Sequence, residues 1–102
     1  MVHAGDLKMI KLTEFDAAEY LDNEELQAGY LAEVAKENDP AELLKAIDTI
    51  ARARGMAKTA RDAGITREGL YKALSPQGNP AFSTVFKVLN AIGYTLVPMP
   101  MD

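Results

Sequence analysis

Arg67, Glu68, Tyr71 and Lys72 are interleaved with Leu70 and Leu74, two apolar residues four apart. On a helix this spacing sends the leucines to one face and leaves the four polar side chains on the other. The chemistry open to such a set is contact with base edges in a DNA groove. The guanidinium fork of Arg67 matches O6 and N7 of guanine, and Glu68 accepts from the amino group of cytosine or orients Arg67. Lys72 reaches guanine or a phosphate. Tyr71 packs on a thymine methyl, bonds a phosphate or packs partly inside the protein. Charged residues on a helix also serve as plain solvated surface, so the surroundings must decide.

Catalytic chemistry finds no comparable set. His3 is the one histidine, in the first ten residues, and there is no cysteine. No metal-ligand cluster, phosphate-binding glycine loop or nucleophile–base arrangement is visible. The paired acids Glu24 and Glu25 suit the first turn of a helix. The chain reads as a non-enzyme, with no catalytic residues, no metal site and no cofactor.

The elements around the polar set must hold it outward. Thr59-Ala-Arg-Asp-Ala-Gly-Ile-Thr66 supplies what a steep crossing of two helices needs. Ala60 is small enough for close approach, and Gly64 takes the positive φ that ends a helix abruptly. Ile65 turns inward, and Thr66 caps the next helix. The spacing predicts a first motif helix over 56–63 and a recognition helix over 66–74. In such a motif the first helix crosses the DNA backbone. Lys58, Thr59 and Arg61 on it, Thr66 at the cap, and Ser75, Gln77 and Asn79 in the following loop are the candidate phosphate contacts.

Further out, Asp16 and Asn23 are N-cap candidates for a short helix over 16–21 and a longer one over 24–36, whose apolar stripe is Leu26, Tyr30, Leu31 and Val34. Asp39-Pro40 opens a helix that Gly55 closes, with Leu43, Leu44, Ile47, Ile50 and Ala51 inward. A last helix over 81–92 turns Phe82, Val85, Phe86, Leu89 and Ile92 to the core, and Gly93 ends it. Residues 94–97 are β-prone, and a short terminal strand is expected there. The domain plan is a flexible tail over 1–10, an acidic helical segment over 11–39, a helix-turn-helix domain over 40–97 and a tail over 98–102. Met9 competes with Met1 as the biological start.

The net charge of −4 disfavours a polyanion partner until its distribution is read. Residues 1–40 carry ten acids and three bases, while residues 41–102 carry five acids and eight bases. Such asymmetry points to two partners of opposite charge. No apolar run approaches the roughly 18–20 residues of a membrane span, and no signal-peptide pattern opens the chain. No membrane contact and a cytoplasmic location are therefore expected, to which the lack of cysteine is suited.

Three stretches together carry a family resemblance: Ile50-Ala-Arg-Ala-Arg-Gly-Met56, then Gly64-Ile-Thr-Arg-Glu-Gly-Leu-Tyr-Lys-Ala-Leu-Ser75, then Gly78-Asn-Pro80. With the opening Leu12-Thr-Glu-Phe-Asp-Ala-Ala-Glu-Tyr-Leu21, the chain resembles the addiction-module antidote proteins, HigA-like antitoxins, over roughly residues 11 to 98. The resemblance implies an all-α, lambda-repressor-like helix-turn-helix domain of the Cro/repressor (Xre) type, here with an N-terminal helical extension and the short C-terminal strand. It implies binding to double-stranded operator DNA and neutralisation of a small basic toxin of the RelE/HigB ribonuclease type. Charge assigns the toxin to Glu19, Glu24, Glu25 and Glu33. Two-fold repressors read pseudo-palindromes, so a homodimer is expected, with Tyr94, Leu96 and Val97 pairing across the axis. The alternatives are a stand-alone phage-type repressor and a protein-interaction module without DNA binding. Two positions depart from the wider repressor pattern: Met56 stands where many relatives place a phosphate-gripping Gln, and Gly69 lightens the recognition helix.

Overall fold

The computed structural model describes residues 23–101, and these form five α-helices. The expected helix over 16–21 lies outside the described residues, as does Glu19. Helix α1 (Glu24–Ala35) starts at Asn23, whose extended backbone lets Oδ1 accept from the amide of Leu26 at 2.8 Å. Helix α2 (Pro40–Arg54) starts at Asp39, whose Oδ1 accepts from the amide of Ala41 at 3.0 Å, with Pro40 where no donor is needed. Both capping oxygens satisfy amides that a helix start leaves unpaired. Three helices follow: α3 (Met56–Ala63), α4 (Arg67–Ala73) and α5 (Phe82–Ala91).

The helices share one core. Ile47 and Ile50 of α2, Leu70 of α4, and Val88, Leu89 and Ile92 from α5 and its cap are at most 2% exposed. Leu31 joins them from α1, and Met56, Ala60 and Ala63 from α3. Helix α1 packs on α2, α2 on α3, and α3 on both α4 and α5. Met56, at the start of α3, is 7% exposed and belongs to this core.

One apolar expectation fails at Phe82, and the stripe of α1 gains a polar member. Along α5, burial grades from exposed Phe82 (71%) through half-buried Val85 and Phe86 to the enclosed Val88, Leu89 and Ile92. The helix thus enters the core with its C-terminal end. Phe82 keeps only an edge contact with Phe86, at 6.0 Å between ring centroids. On α1, the buried pair is Gln27 and Leu31, with Leu26, Tyr30 and Val34 half-buried. Gln27 is tolerated inside because its Oε1 accepts from Nε of Arg54 at 2.9 Å. That bond fastens α1 to the end of α2.

The expected terminal strand is absent: no β-strand occurs among the described residues, and the fold is all-α without one. The cause is the C-terminal cap of α5. Gly93, at φ 93°, reverses the chain, and the amide of Tyr94 donates back to the carbonyl of Leu89 at 2.8 Å. The carbonyl of Tyr94 accepts from Nδ2 of Asn90 at 2.8 Å. Both backbone groups of Tyr94 are spent on the cap, and strand propensity counts only where a ladder partner exists. Residues 94–97 instead run beside α1, bordering a groove of about 270 Å3 with Leu31, Ala35 and Leu43.

Tyr30 of α1 is half-buried. Burial pushes its phenol above the ordinary value of 10.0, against the lowering influence of the Thr49 hydroxyl, with Glu42 and Glu37 adding to the rise. The fold therefore favours the neutral phenol. Its contribution is complete below pH 10 and is lost as the pH rises through the raised folded-state value. Urea unfolding between pH 8 and 11 should show the wild type losing more stability than Tyr30→Phe; equal slopes would contradict this.

Candidate nucleic-acid interface

The crossing of α3 and α4 is built by three residues. Gly64 takes the left-handed conformation at φ 73°, which an L side chain resists. Its amide reaches back to Arg61 O at 3.1 Å, and that of Ile65 to Ala60 O at 3.0 Å, closing the end of α3. Half-buried Ile65 anchors the turn, and Thr66 Oγ1 then accepts from the amide of Gly69 at 2.9 Å to open α4. A Cβ at Gly69 would come within 2.9 Å of that same oxygen. Helix α4 has seven residues, far below the roughly 12–15 at which an isolated helix becomes even marginally stable. Leu70, fully buried, and Leu74 hold it against the core.

Arg67, Glu68, Tyr71 and Lys72 consequently share the exposed side of α4. Tyr71, 40% exposed, organises this side. The guanidinium of Arg67 lies over its ring, 5.8 Å from the centroid. A second guanidinium, that of Arg52 at the end of α2, lies over the same ring at 6.0 Å. In the sequence Arg52 stands with Arg54 as a last-turn cation that suits the helix dipole, and no local spacing relates it to α4. Its Nε donates to Asp48 Oδ2 at 3.0 Å. Among the described residues, Glu68 forms no ion pair with Arg67.

The candidate phosphate contacts divide. Lys58 and Arg61 are exposed, Lys58 paired with Asp62 at 3.0 Å and Arg61 4.0 Å from it. Such exposed pairs are worth only about 0–1 kcal/mol and yield readily to a stronger partner. Thr59 is instead 2% exposed, its hydroxyl donating to Gly55 O at 2.8 Å, so it lies on the inner side of α3. Thr66 is exposed but serves as the cap. Ser75 Oγ donates to Lys72 O at 2.9 Å, and Ser75, Gln77 and Asn79 line a cleft of about 420 Å3 with Lys72, on the loop side of α4.

Glu24, Glu25 and Glu33 are exposed on α1, with Glu33 3.9 Å from Lys36. Tyr94 is half-buried, whereas Leu96 and Val97 are exposed. Among the described residues no helix is long and apolar enough to cross a membrane.

Comparison with known proteins adds two findings. A family model described as "Probable addiction module antidote protein" matches residues 11–100. A protein of Haemophilus influenzae (strain ATCC 51907 / DSM 11121 / KW20 / Rd), described as an uncharacterized protein, is 54% identical over 82 residues, which is 80% of this chain and 84% of the relative. No solved structure matches significantly.

Proposed function

The chain belongs to the family of probable addiction-module antidote proteins, and from that premise we propose that it is a HigA-like antitoxin that represses its own operon and neutralises a co-encoded toxin. An antidote of this kind is not a catalyst. The toxin is a small basic ribonuclease of the RelE/HigB type, and the operator is double-stranded DNA read by α4. The observation that carries the DNA half is the outward set Arg67, Tyr71 and Lys72 on a short helix pinned by Leu70 and Leu74. Charge supports the division of labour: residues 11–39 meet the basic toxin and residues 40–97 meet phosphate. The protein acts as a homodimer, matching two half-sites about 34–36 Å apart. Exposed Leu96 and Val97, beside Tyr94, offer the second copy an apolar edge.

Co-expression with the product of the neighbouring gene tests the antitoxin half. Growth should be rescued by the wild type, and the two proteins should co-purify. Glu24→Gln with Glu25→Gln and Glu33→Gln should slow association about tenfold at low salt while leaving operator binding unchanged, since rim charges act on the encounter rate. A protein that binds the operator but neither rescues growth nor co-purifies would be a stand-alone repressor.

A further inference from the structure

We propose that Arg52 is a phosphodiester clamp and that Tyr71 is the brace that sets it at a fixed offset from Arg67; the inference rests on the DNA-binding reading. Arg52 and Arg67 come from different helices, α2 and α4, yet both guanidinium groups lie over one ring, at 6.0 and 5.8 Å from its centroid. Two like charges held against one ring repel each other, and the ring offsets that repulsion only in part. A polyanion alongside the pair removes the remainder. The ligand that suits the guanidinium fork of Arg52 is an oxyanion accepting two parallel N–H bonds, as a phosphate does.

The two arginines do different work. Arg67 stands on the helix that faces base edges. Arg52 stands on α2, outside that helix, and an element flanking a groove-filling helix meets the strand that walls the groove. Asp48, on the preceding turn of α2, accepts from Nε of Arg52 at 3.0 Å. That bond fixes the guanidinium and leaves its terminal Nη groups for a ligand. Asp48 is only 22% exposed, so the fixing group is itself held. Arg67 has no ion-pair partner among the described residues and is steadied by the ring instead. A fork held in place before binding loses less freedom on binding.

The roles separate experimentally. Fluorescence anisotropy would follow a labelled duplex of the protein's own promoter and a scrambled duplex of equal length, each from about 50 to 200 mM salt. Arg52→Ala should weaken both duplexes by a similar factor, about tenfold, and make the plot of log affinity against log salt shallower by about 0.9 per subunit, the signature of one lost phosphate contact. Arg52→Lys should keep the slope, because it keeps the charge. Arg67→Ala should instead remove the preference for promoter over scrambled duplex. Tyr71→Phe, which keeps the ring, should bind within about twofold of wild type, whereas Tyr71→Leu should lose about tenfold on the promoter. A wild-type slope in Arg52→Ala would overturn the clamp. Equal losses in Tyr71→Phe and Tyr71→Leu would overturn the brace and make the hydroxyl the contact. A wild-type protein that shows no preference for its promoter would overturn the DNA-binding reading itself, a failure visible before any variant is compared.

Discussion

Arg67→Ala combined with Lys72→Ala should lower affinity for the operator at least about 100-fold while leaving the fold intact. Loss of a bidentate arginine contact to guanine costs about 1–3 kcal/mol of discrimination, and loss of the neighbouring cation removes a further favourable contact. About 2.7 kcal/mol in total gives the factor of 100. Structural damage should be slight because both side chains are exposed and, among the described residues, neither forms an ion pair. Removing Arg67 forfeits its place over Tyr71, about 0.5–1 kcal/mol, and alanine returns some of that as helix propensity. Titration at fixed salt beside a thermal melt separates the two effects. Normal operator binding by the double variant would refute α4 as the reading helix. A collapsed melt would show that these side chains support the fold.

Gly78→Ala should destabilise the protein by about 2–3 kcal/mol, the cost of forcing atoms into a filled space. A Cβ at Gly78 would stand 2.5 Å from the carbonyl oxygen of Ala73 and 2.7 Å from that of Lys72. Both obstacles are backbone atoms at the end of α4, and they cannot swing aside as a side chain would. The loop is held there by the Gly78 amide, which donates to Ser75 O at 2.8 Å. Relief requires either opening that turn or unwinding the last turn of α4 beside Leu74. For a domain of this size the melting temperature should fall by on the order of 10 °C. Gly29→Ala is the matched control. Gly29 lies in mid-α1 with nothing within 4 Å of an added Cβ, so alanine there should add up to about 1 kcal/mol. If both variants melt with the wild type, the loop does not rest on the end of α4.

The helix boundaries were legible because they are written locally. Asn23, Asp39 and Thr66 accept the hydrogen bonds their positions announce, and Gly55, Gly64 and Gly93 reverse the chain where each helix must stop. The pinning of α4 by Leu70 and Leu74 followed from a spacing of four. What sequence could not supply was the partner of each element. Residues 94–97 have strand-forming side chains, but whether an extended segment becomes a strand depends on a neighbour, and here the cap of α5 takes the backbone groups of Tyr94 first. Phe82 has the right period for the core and the wrong end of the helix. Thr59 carries a hydroxyl suited to phosphate, yet it points inward to Gly55 O. Gln27 at i with Leu31 at i+4 was a weak signal that a polar residue shares the buried face; its reason, Arg54, lies on another helix. The place of Arg52 beside Tyr71 was hidden for the same reason, since that neighbour is reached only through the fold.

The contact between α3 and α5 has a consequence for how the reading face comes into being. Every other main helix contact joins consecutive helices and closes only a short span. This one closes the stretch from Ala63 to Phe82, within which α4 is contained. The entropy of closing that span is lost once, and α4, too short to persist alone, relies on this closure as well as on its own packing against α3. Heat or a protease nick that releases α5 therefore removes part of the core under Leu70 and Leu74 that holds the exposed face of α4 in place. Conversely, a duplex that grips α4 tightens a clasp between two helices it need not touch.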